Sequence, residues 1–386
     1  MSELIQKHDN RTTIRWKLLT GASALALTAY VSTVTAADAS GDSHPLLWLE
    51  FGGDASMVSG EGQPFIAPFM SITANPGVFD PVSPISVQKP PPYSFGGEAK
   101  LSFQPENSHW IFSASIRYGR SNNNRYDHQQ TRGLPVPTSS YAYQQALYYG
   151  AHFRYATGVV AYAEYKAHHQ EKHAILDFQA GKDVGLGLFG SSSASTISAG
   201  VRMARFDTDA SIRIRARPDL VDSNFNNFIK YDRDFHQFYL SGSAARSFHG
   251  FGPSASWDAS VPLAGNPNDG ELALDWGINA AILFGKQAAK VHHHTTGFHS
   301  KPGKYGGYKT SAYNNSPIPQ SRSRNVTVPN IGGFASIAYH FQDAKVSLGY
   351  RYDTFLGAMD TGIDTAHKSA MTFKGPYASI SIGLGD

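Results

Sequence analysis

DFQAGKDVGLGLFGSSSASTISAGVRMARFD, residues 177–207, carries a plan that the rest of the chain repeats. Counting from Leu176, the residues Phe178, Ala180, Val184, Leu186 and Leu188 take even positions, while Asp177, Gln179, Gly181, Asp183, Gly185 and Gly187 take odd ones. A β-strand turns successive side chains to opposite faces, so this period of two describes a strand with one greasy side and one small or polar side. After GSSSA, residues 190–194, the alternation resumes with Ile197, Ala199, Val201 and Met203 opposite Thr196, Ser198, Gly200 and Arg202. Two such runs joined by a few turn residues make a hairpin.

The same rhythm recurs along the chain. Leu47, Leu49, Phe51, Ala55 and Met57 alternate with Trp48, Glu50, Asp54 and Ser56. Tyr93, Phe95, Ala99, Leu101 and Phe103 face away from Glu98 and Lys100, and Trp110, Phe112, Ala114, Ile116 and Tyr118 face away from Arg117. Further runs set Phe251 to Val261 against Asp258, Leu272 to Phe284 against Asp275, and Val346 to Tyr352 against Arg351 and Asp353. Others cover 331–341 and 371–385. About ten strands result, between eight and twelve, since 141–170 can add a pair and 236–246 reads equally as loop.

The connections alternate between short turns and long polar stretches at 58–92, 121–170, 209–234, 287–327 and 359–370. Both termini then fall at the short-turn end. A periplasmic β-sandwich could alternate in this way too, but it would bury its apolar faces in a narrow core. Trp110, Trp257, Trp276, Tyr118 and Tyr352 along the greasy face instead suit the interfacial girdles of a membrane barrel. The expected fold is an all-β, antiparallel up-and-down transmembrane barrel spanning 37–386. Lys182 breaks the pattern by falling on the greasy side, which calls for a local bulge near Gly181 or an interfacial position.

Residues 1–36 read as an address. Lys7, Arg11, Arg15 and Lys17 precede the apolar run 18–34, and Val34-Thr35-Ala36 supplies small residues for cleavage. This is the layout of a secretory signal peptide, with an uncleaved anchor as the other reading. Export without further spanning helices leaves a periplasmic or secreted protein or a barrel in the outer membrane of a Gram-negative cell. Composition agrees: of 386 residues 12% are aromatic, 37 are Gly, only 16% are charged and none is Cys, which removes disulfides and thiolate metal sites. The formal charge is +3, of which residues 1–36 hold two, so the remainder gives no electrostatic case for nucleic acid.

At GKDVGLGLFG (181–190), FHGFGPSASWDASVPL (248–263) and VSLGYRYDTFLGAMDTG (346–362) the chain resembles the Legionella-type major outer membrane protein family of pore-forming barrels. The likeness covers most of the chain after residue 36 through short patterns, and it implies an outer-membrane barrel with porin-like behaviour. Many such barrels end in an aromatic residue read by the insertion machinery. This chain ends Leu384-Gly385-Asp386, although Ile380, Ile382 and Leu384 keep the alternation.

Covalent chemistry finds little support. Gly185, Gly187 and Gly190 spell G-x-G-x-x-G, but SSSASTIS follows where a dinucleotide site needs a helix, so no cofactor is expected. His292, His293, His294 and His299, with His168, His169 and His173, have the chemistry for Zn²⁺, Cu²⁺ or acid sensing, yet adjacent histidines in outer loops read more simply as solvated filler. Asp177, His173, Asp207 and Ser43 are available in kind for a hydrolase, without triad spacing or a G-x-S-x-G, and no enzyme is expected.

What remains is the lumen. By parity it receives Glu50, Asp54, Glu98, Lys100, Arg117, Asp177, Asp183, Arg202, Asp258, Asp275, Arg351 and Asp353. These either form internal salt bridges that plug the barrel or line a water-filled path that selects solutes. Ten strands lie between a filled and an open barrel. Gly, Ser and Ala on the same face favour a narrow pore for small hydrophilic solutes, and a closed structural or adhesive barrel is the alternative. The partners such a chain requires are outer-membrane lipid and lipopolysaccharide, the barrel-assembly machinery and periplasmic chaperones; homo-oligomerisation stays open.

Overall fold

In the computed structural model the residues described are 47–60, 69–72, 79–82, 90, 92–105, 108, 110–132, 160–184, 194–217, 235–266, 269–302, 308–341 and 344–384. The leader region 1–36 and the G-x-G-x-x-G glycines lie outside them. The strands are β1 (Leu47–Ser59), β2 (Phe69–Ile72), β3 (Phe79–Val82), β4 (Tyr93–Phe103), β5 (Trp110–Arg132), β6 (Val160–Asp183), β7 (Ala194–Arg217), β8 (Phe235–Asn266), β9 (Gly270–Pro302), β10 (Tyr308–Asn315), β11 (Gln320–Phe341), β12 (Ala344–Asp360) and β13 (Lys368–Leu384).

Ten of them close a ring, in the order β9-β11-β12-β13-β1-β4-β5-β6-β7-β8 with β8 returning to β9, and every pairing is antiparallel. β10 lies in tandem with β11 along the same edge of β9, and Pro317 and Pro319, which lack an amide hydrogen, stand in the break between them. β2 and β3 form a separate two-stranded sheet within the β1–β4 connection.

The stagger of the ring can be read from the register. Starting at Leu47 and crossing strand by strand, the partners run Phe103, Phe112, Ala180, Ala199, Ala255, Ala280, Ile331, Thr354 and Thr372, and the walk returns to β1 at Ser59. The start and finish are twelve residues apart on β1. A climb of twelve residues over ten strands tilts the strands by roughly 40° and gives a backbone tube roughly 20 Å across.

The parity read from the sequence holds around the wall. Phe51, Phe95, Leu101, Phe112, Phe178, Val201, Phe251, Ile282, Phe284, Ile337, Leu348 and Ile380 are exposed on the outside. Trp110, Tyr118 and Tyr352 stand out there too, and Trp257 packs edge-on to Trp276 at 5.0 Å while its indole N–H donates to Ser195 Oγ at 2.8 Å. Lys182 is exposed and paired opposite Trp110 and Ile197 in unbroken register, so the end of the greasy band, not a bulge, accommodates it.

The strands extend well beyond the alternating runs. The stretches expected as loops at 121–170, 209–234 and 287–327 contain the upper halves of β5, β6, β7 and β9, all of β10 and the start of β11. The reason is physical. A strand needs only backbone partners: Ser121–Arg132 is polar on both faces while still paired to β6 out to Val160, and in β6, β7 and β8 the apolar side turns inward, at Tyr165, Ile212, Ile214 and Leu240. The greasy run of β9, Leu272 to Phe284, is less than half of its 33 residues. The 58–92 connection likewise includes the β2–β3 hairpin, and 359–370 shrinks to 361–367.

At the short-turn end the β8–β9 hairpin needs Gly265 and Gly270, whose φ values are +96° and +118°. A Cβ on Gly265 would lie 2.1 Å from the Gly270 carbonyl oxygen, and the Asp269 amide donates to Asn266 Oδ1 at 2.8 Å to tie the turn. Gly265→Val is therefore expected to cost about 1–3 kcal/mol. A lower urea midpoint of the refolded barrel, followed by the fluorescence of the neighbouring Trp257–Trp276 pair, would register it.

Candidate functional site

Inside the wall the side chains sort into three levels. Toward the short-turn end lies a cavity of about 270 Å³ lined by Glu50, Glu98, Lys100, Arg117, Asp177, Arg202, Asp258, Asp275, Arg351 and Asp353, together with Lys345, Asn279 and Tyr377. Asp54 points inward but is not among its lining residues, and it accepts a 2.5 Å bond from Ser56. Asp183 stands exposed at the end of β6, also outside the cavity.

The charges are tied across the barrel. Arg117 on β5 meets Asp353 on β12 at 2.7 Å, and Arg351 on β12 bonds Glu98 on β4 while its guanidinium lies over the Tyr377 ring at 4.6 Å. Arg202 grips Asp177 through Nε and Nη2 at 2.7 and 2.9 Å, and its Nη1 donates to Asn279 at 2.7 Å and to Asn330. Lys345 reaches Asp275 at 3.3 Å, and Ser260 donates to the other oxygen of Asp275 at 2.6 Å. Six carboxylates face five cations in the lining, so the chamber is close to neutral. Lys345 and Asn330 are missed when the alternation is started at Val346 and Ile331, though parity carried one residue further marks both as inward.

Above the chamber the inner wall turns apolar. Val58, Ile175, Phe206, Phe248, Leu283, Val328, Phe355, Met359, Met371 and Phe373 form a single buried cluster, with contributions from eight of the ten ring strands. Phe206 lies 4.7 Å from Phe355, 5.4 Å from Phe373 and 5.7 Å from Phe248 between ring centroids. In a tube roughly 20 Å across, aromatic side chains from opposite walls meet near the axis. The space expected beside the inward Gly, Ser and Ala residues does not continue through this level, which large side chains fill. The sequence carries the signal: Phe206, Phe248, Leu283 and Phe355 sit on the polar parity of their strands, opposite Met203, Phe251, Phe284 and Leu356.

The third level is a strap, residues 361–367, which joins β12 to β13. β12 loses register with β13 between Phe355 and Met359, and Gly357 takes φ +74° in that bulge, so Ala358, Met359 and Asp360 are buried in succession. The strap folds against inward side chains of other strands. Arg322 donates to the Gly362 and Ile363 carbonyls at 2.8 and 2.7 Å, Arg246 donates to the Thr361 carbonyl at 3.4 Å, and Ile363 packs on Ala244 and Val291. Asp360 is the latch. Its Oδ1 accepts the amide hydrogens of Gly362 and His367 at 3.1 and 2.9 Å, and its Oδ2 takes Arg322 at 3.2 Å. Burial raises the Asp360 carboxyl, but the two amides and the Arg322 guanidinium outweigh it and hold the carboxyl below its ordinary range.

The histidines disperse. His292, His293 and His294 belong to β9, not to a loop; alternation turns His293 inward, where Nε2 is 3.1 Å from Asp364 of the strap, and turns its two neighbours outward. His173 is buried with Glu171 at 2.8 Å, and His168 meets Asn124 at 2.7 Å. Among the described residues no cluster of three or more potential metal ligands occurs. The residues weighed for hydrolysis separate as well: His173 and Asp177 face inward, Asp207 faces outward to Arg205 at 2.8 Å, and Ser43 lies outside the described residues.

No protein-family model matches the chain, and no curated protein does. Among solved structures it is similar to a bacterial polysaccharide outer membrane secretin (TM-score 0.19, 8% identity, 89% of this chain and 100% of that one). It is also similar to the Pseudomonas putida toluene transporter TodX (TM-score 0.17, 9% identity, 89% and 90%) and to the transport unit of the autotransporter AIDA-I from Escherichia coli (TM-score 0.17, 6% identity, 91% and 94%). Likenesses of that size carry no functional inference.

Two outcomes are expected. Arg202→Met leaves Asp177 unpaired and should cost about 3–5 kcal/mol in unfolding free energy, whereas adding Asp177→Asn should recover part of the loss in a double-mutant cycle. A depressed carboxyl stabilises above its unfolded pKa, ~3.9, and loses that contribution as pH falls through its lower folded value. Hydrogen exchange at the Gly362 and His367 amides, corrected for intrinsic rates, should therefore stay protected from pH 7 to 5. In Asp360→Ala, which removes the acceptor, that protection should already be lost at pH 7.

Proposed function

We propose that this chain is an outer-membrane barrel that passes small hydrophilic solutes through a narrow lumen, with the form described being its closed state. The observation that carries this reading is the contrast between the two faces of one wall: oil-compatible side chains outside, and an ionised chamber of about 270 Å³ inside. Such a wall is suited to a bilayer, and the long-loop end would face the exterior. The near balance of charge in the chamber predicts weak ion preference. Passage requires the strap to lift and the Phe206–Phe355 layer to part. A closed structural barrel is the second reading, and that same apolar layer favours it.

Planar-bilayer recording of the refolded protein separates the two. A channel gives rare, small discrete steps, and Phe206→Ala with Phe355→Ala gives steps that are larger and more frequent. If both proteins are silent while their β signal and heat-modifiable gel mobility are intact, the barrel is closed and the transport reading falls.

A further inference from the structure

On the outside, β7, β8, β9 and β11 bring one row of polar side chains together directly above the greasy band. Arg205 pairs across with His249, His249 with Lys286 and Lys286 with Asn325, and all four are exposed. Directly opposed residues on adjacent strands stand about 5 Å apart, so the three basic groups form a continuous line. One step nearer the short-turn end, the next outward row is Met203, Phe251 and Phe284, at 45%, 64% and 53% exposure. Between the two rows lies an open groove of about 710 Å³ on the outer wall.

The row belongs to a cationic side of the barrel, to which Arg120, Lys172, Lys182, Arg213 and Lys290 of β5, β6, β7 and β9 also contribute. Among the described residues the outward faces of β1, β4 and β12 carry no lysine or arginine, and β13 carries Lys368 and Lys374. Arg205 bonds Asp207 at 2.8 Å in an exposed pair, so that carboxylate offsets part of the row while His249 and Lys286 continue it. A basic line at the boundary of an apolar wall matches one kind of occupant: an amphiphile with an anionic head and several hydrocarbon tails.

We propose that this groove binds a phosphorylated membrane lipid, its phosphate against Arg205, His249 and Lys286 and its acyl chains over Met203, Phe251 and Phe284. This rests on the outer-membrane reading above and goes beyond it by assigning a lipid to one side of the barrel. Arg and Lys hold phosphate oxygens through charge-assisted hydrogen bonds, and His249 adds a donor between them.

The test uses the full refolded chain in detergent, titrated with lipid A, with its dephosphorylated form and with inorganic phosphate, and read by native mass spectrometry. Lipid A should bind preferentially, and the triple variant Arg205→Ala, His249→Ala, Lys286→Ala should bind it roughly tenfold or more weakly. Lys374→Ala should bind as the parent does. Since all three side chains are exposed, heat-modifiable mobility of the variant should be unchanged; if it is not, Lys286→Gln alone carries the comparison. Equal binding of the dephosphorylated lipid, retention by the variant, or full competition by inorganic phosphate would overturn the proposal. Vesicle flotation separates the two claims. A chain that floats yet shows no lipid preference removes this site alone, while one that does not float removes the membrane reading and the site with it.

Discussion

A sheet whose outer face is apolar has to pair the amide groups of every strand, and only a closed ring leaves no unpaired edge. Closing β8 onto β9 satisfies that demand for every strand at once, and the manner of closure fixes nearly everything else. A stagger of twelve residues sets the tilt, the tilt sets the bore, and the bore decides which side chains can touch across it.

At this bore, polar and apolar fillings behave differently. Near the short-turn end the inward residues are long and ionised, and they reach across the tube in pairs such as Arg117 with Asp353 and Arg351 with Glu98, leaving a chamber between them. Further up, the same diameter is spanned by rings packed in contact, and Phe206, Phe248 and Phe355 are fully buried. A buried ion pair returns little net stability once desolvation is counted, whereas burying a large apolar side chain contributes about 1.5–3 kcal/mol. The apolar level is therefore the firmer support of the interior, and the chamber is the part with room to admit water.

How much of this was legible in the sequence follows from what hydropathy can report. Strand faces, turn alternation, a ring of about ten strands and the meeting of Leu47 on β1 with Leu384 on β13 at the short-turn end were readable, because each depends on which side chain faces the apolar outside. The inward direction of Glu98, Arg117, Asp177, Arg202 and Arg351 followed from the same parity. The upper half of β5 was not readable, since both of its faces are polar and only the backbone pairing of Ser121–Arg132 with β6 reveals the strand, while in β6, β7 and β8 the apolar side turns inward, at Tyr165, Ile214 and Leu240, and the outward side is polar. The apolar layer was readable in principle from Phe206 and Phe248, whose parity contradicts their chemistry. The strap was not, because its path depends on a bulge inside β12 and on Arg246 and Arg322, which reach it from β8 and β11.

That bulge has an evolutionary corollary. Between Phe355 and Met359 four residues of β12 advance while β13 advances two, an even offset that keeps both residues on the same face. Below it the β12–β13 register is regular, from Ala344–Ile382 to Phe355–Met371, so a change of length at Gly357 or within 361–367 leaves that pairing as it is. The segment that folds over the interior can thus drift in length independently of the wall that carries it.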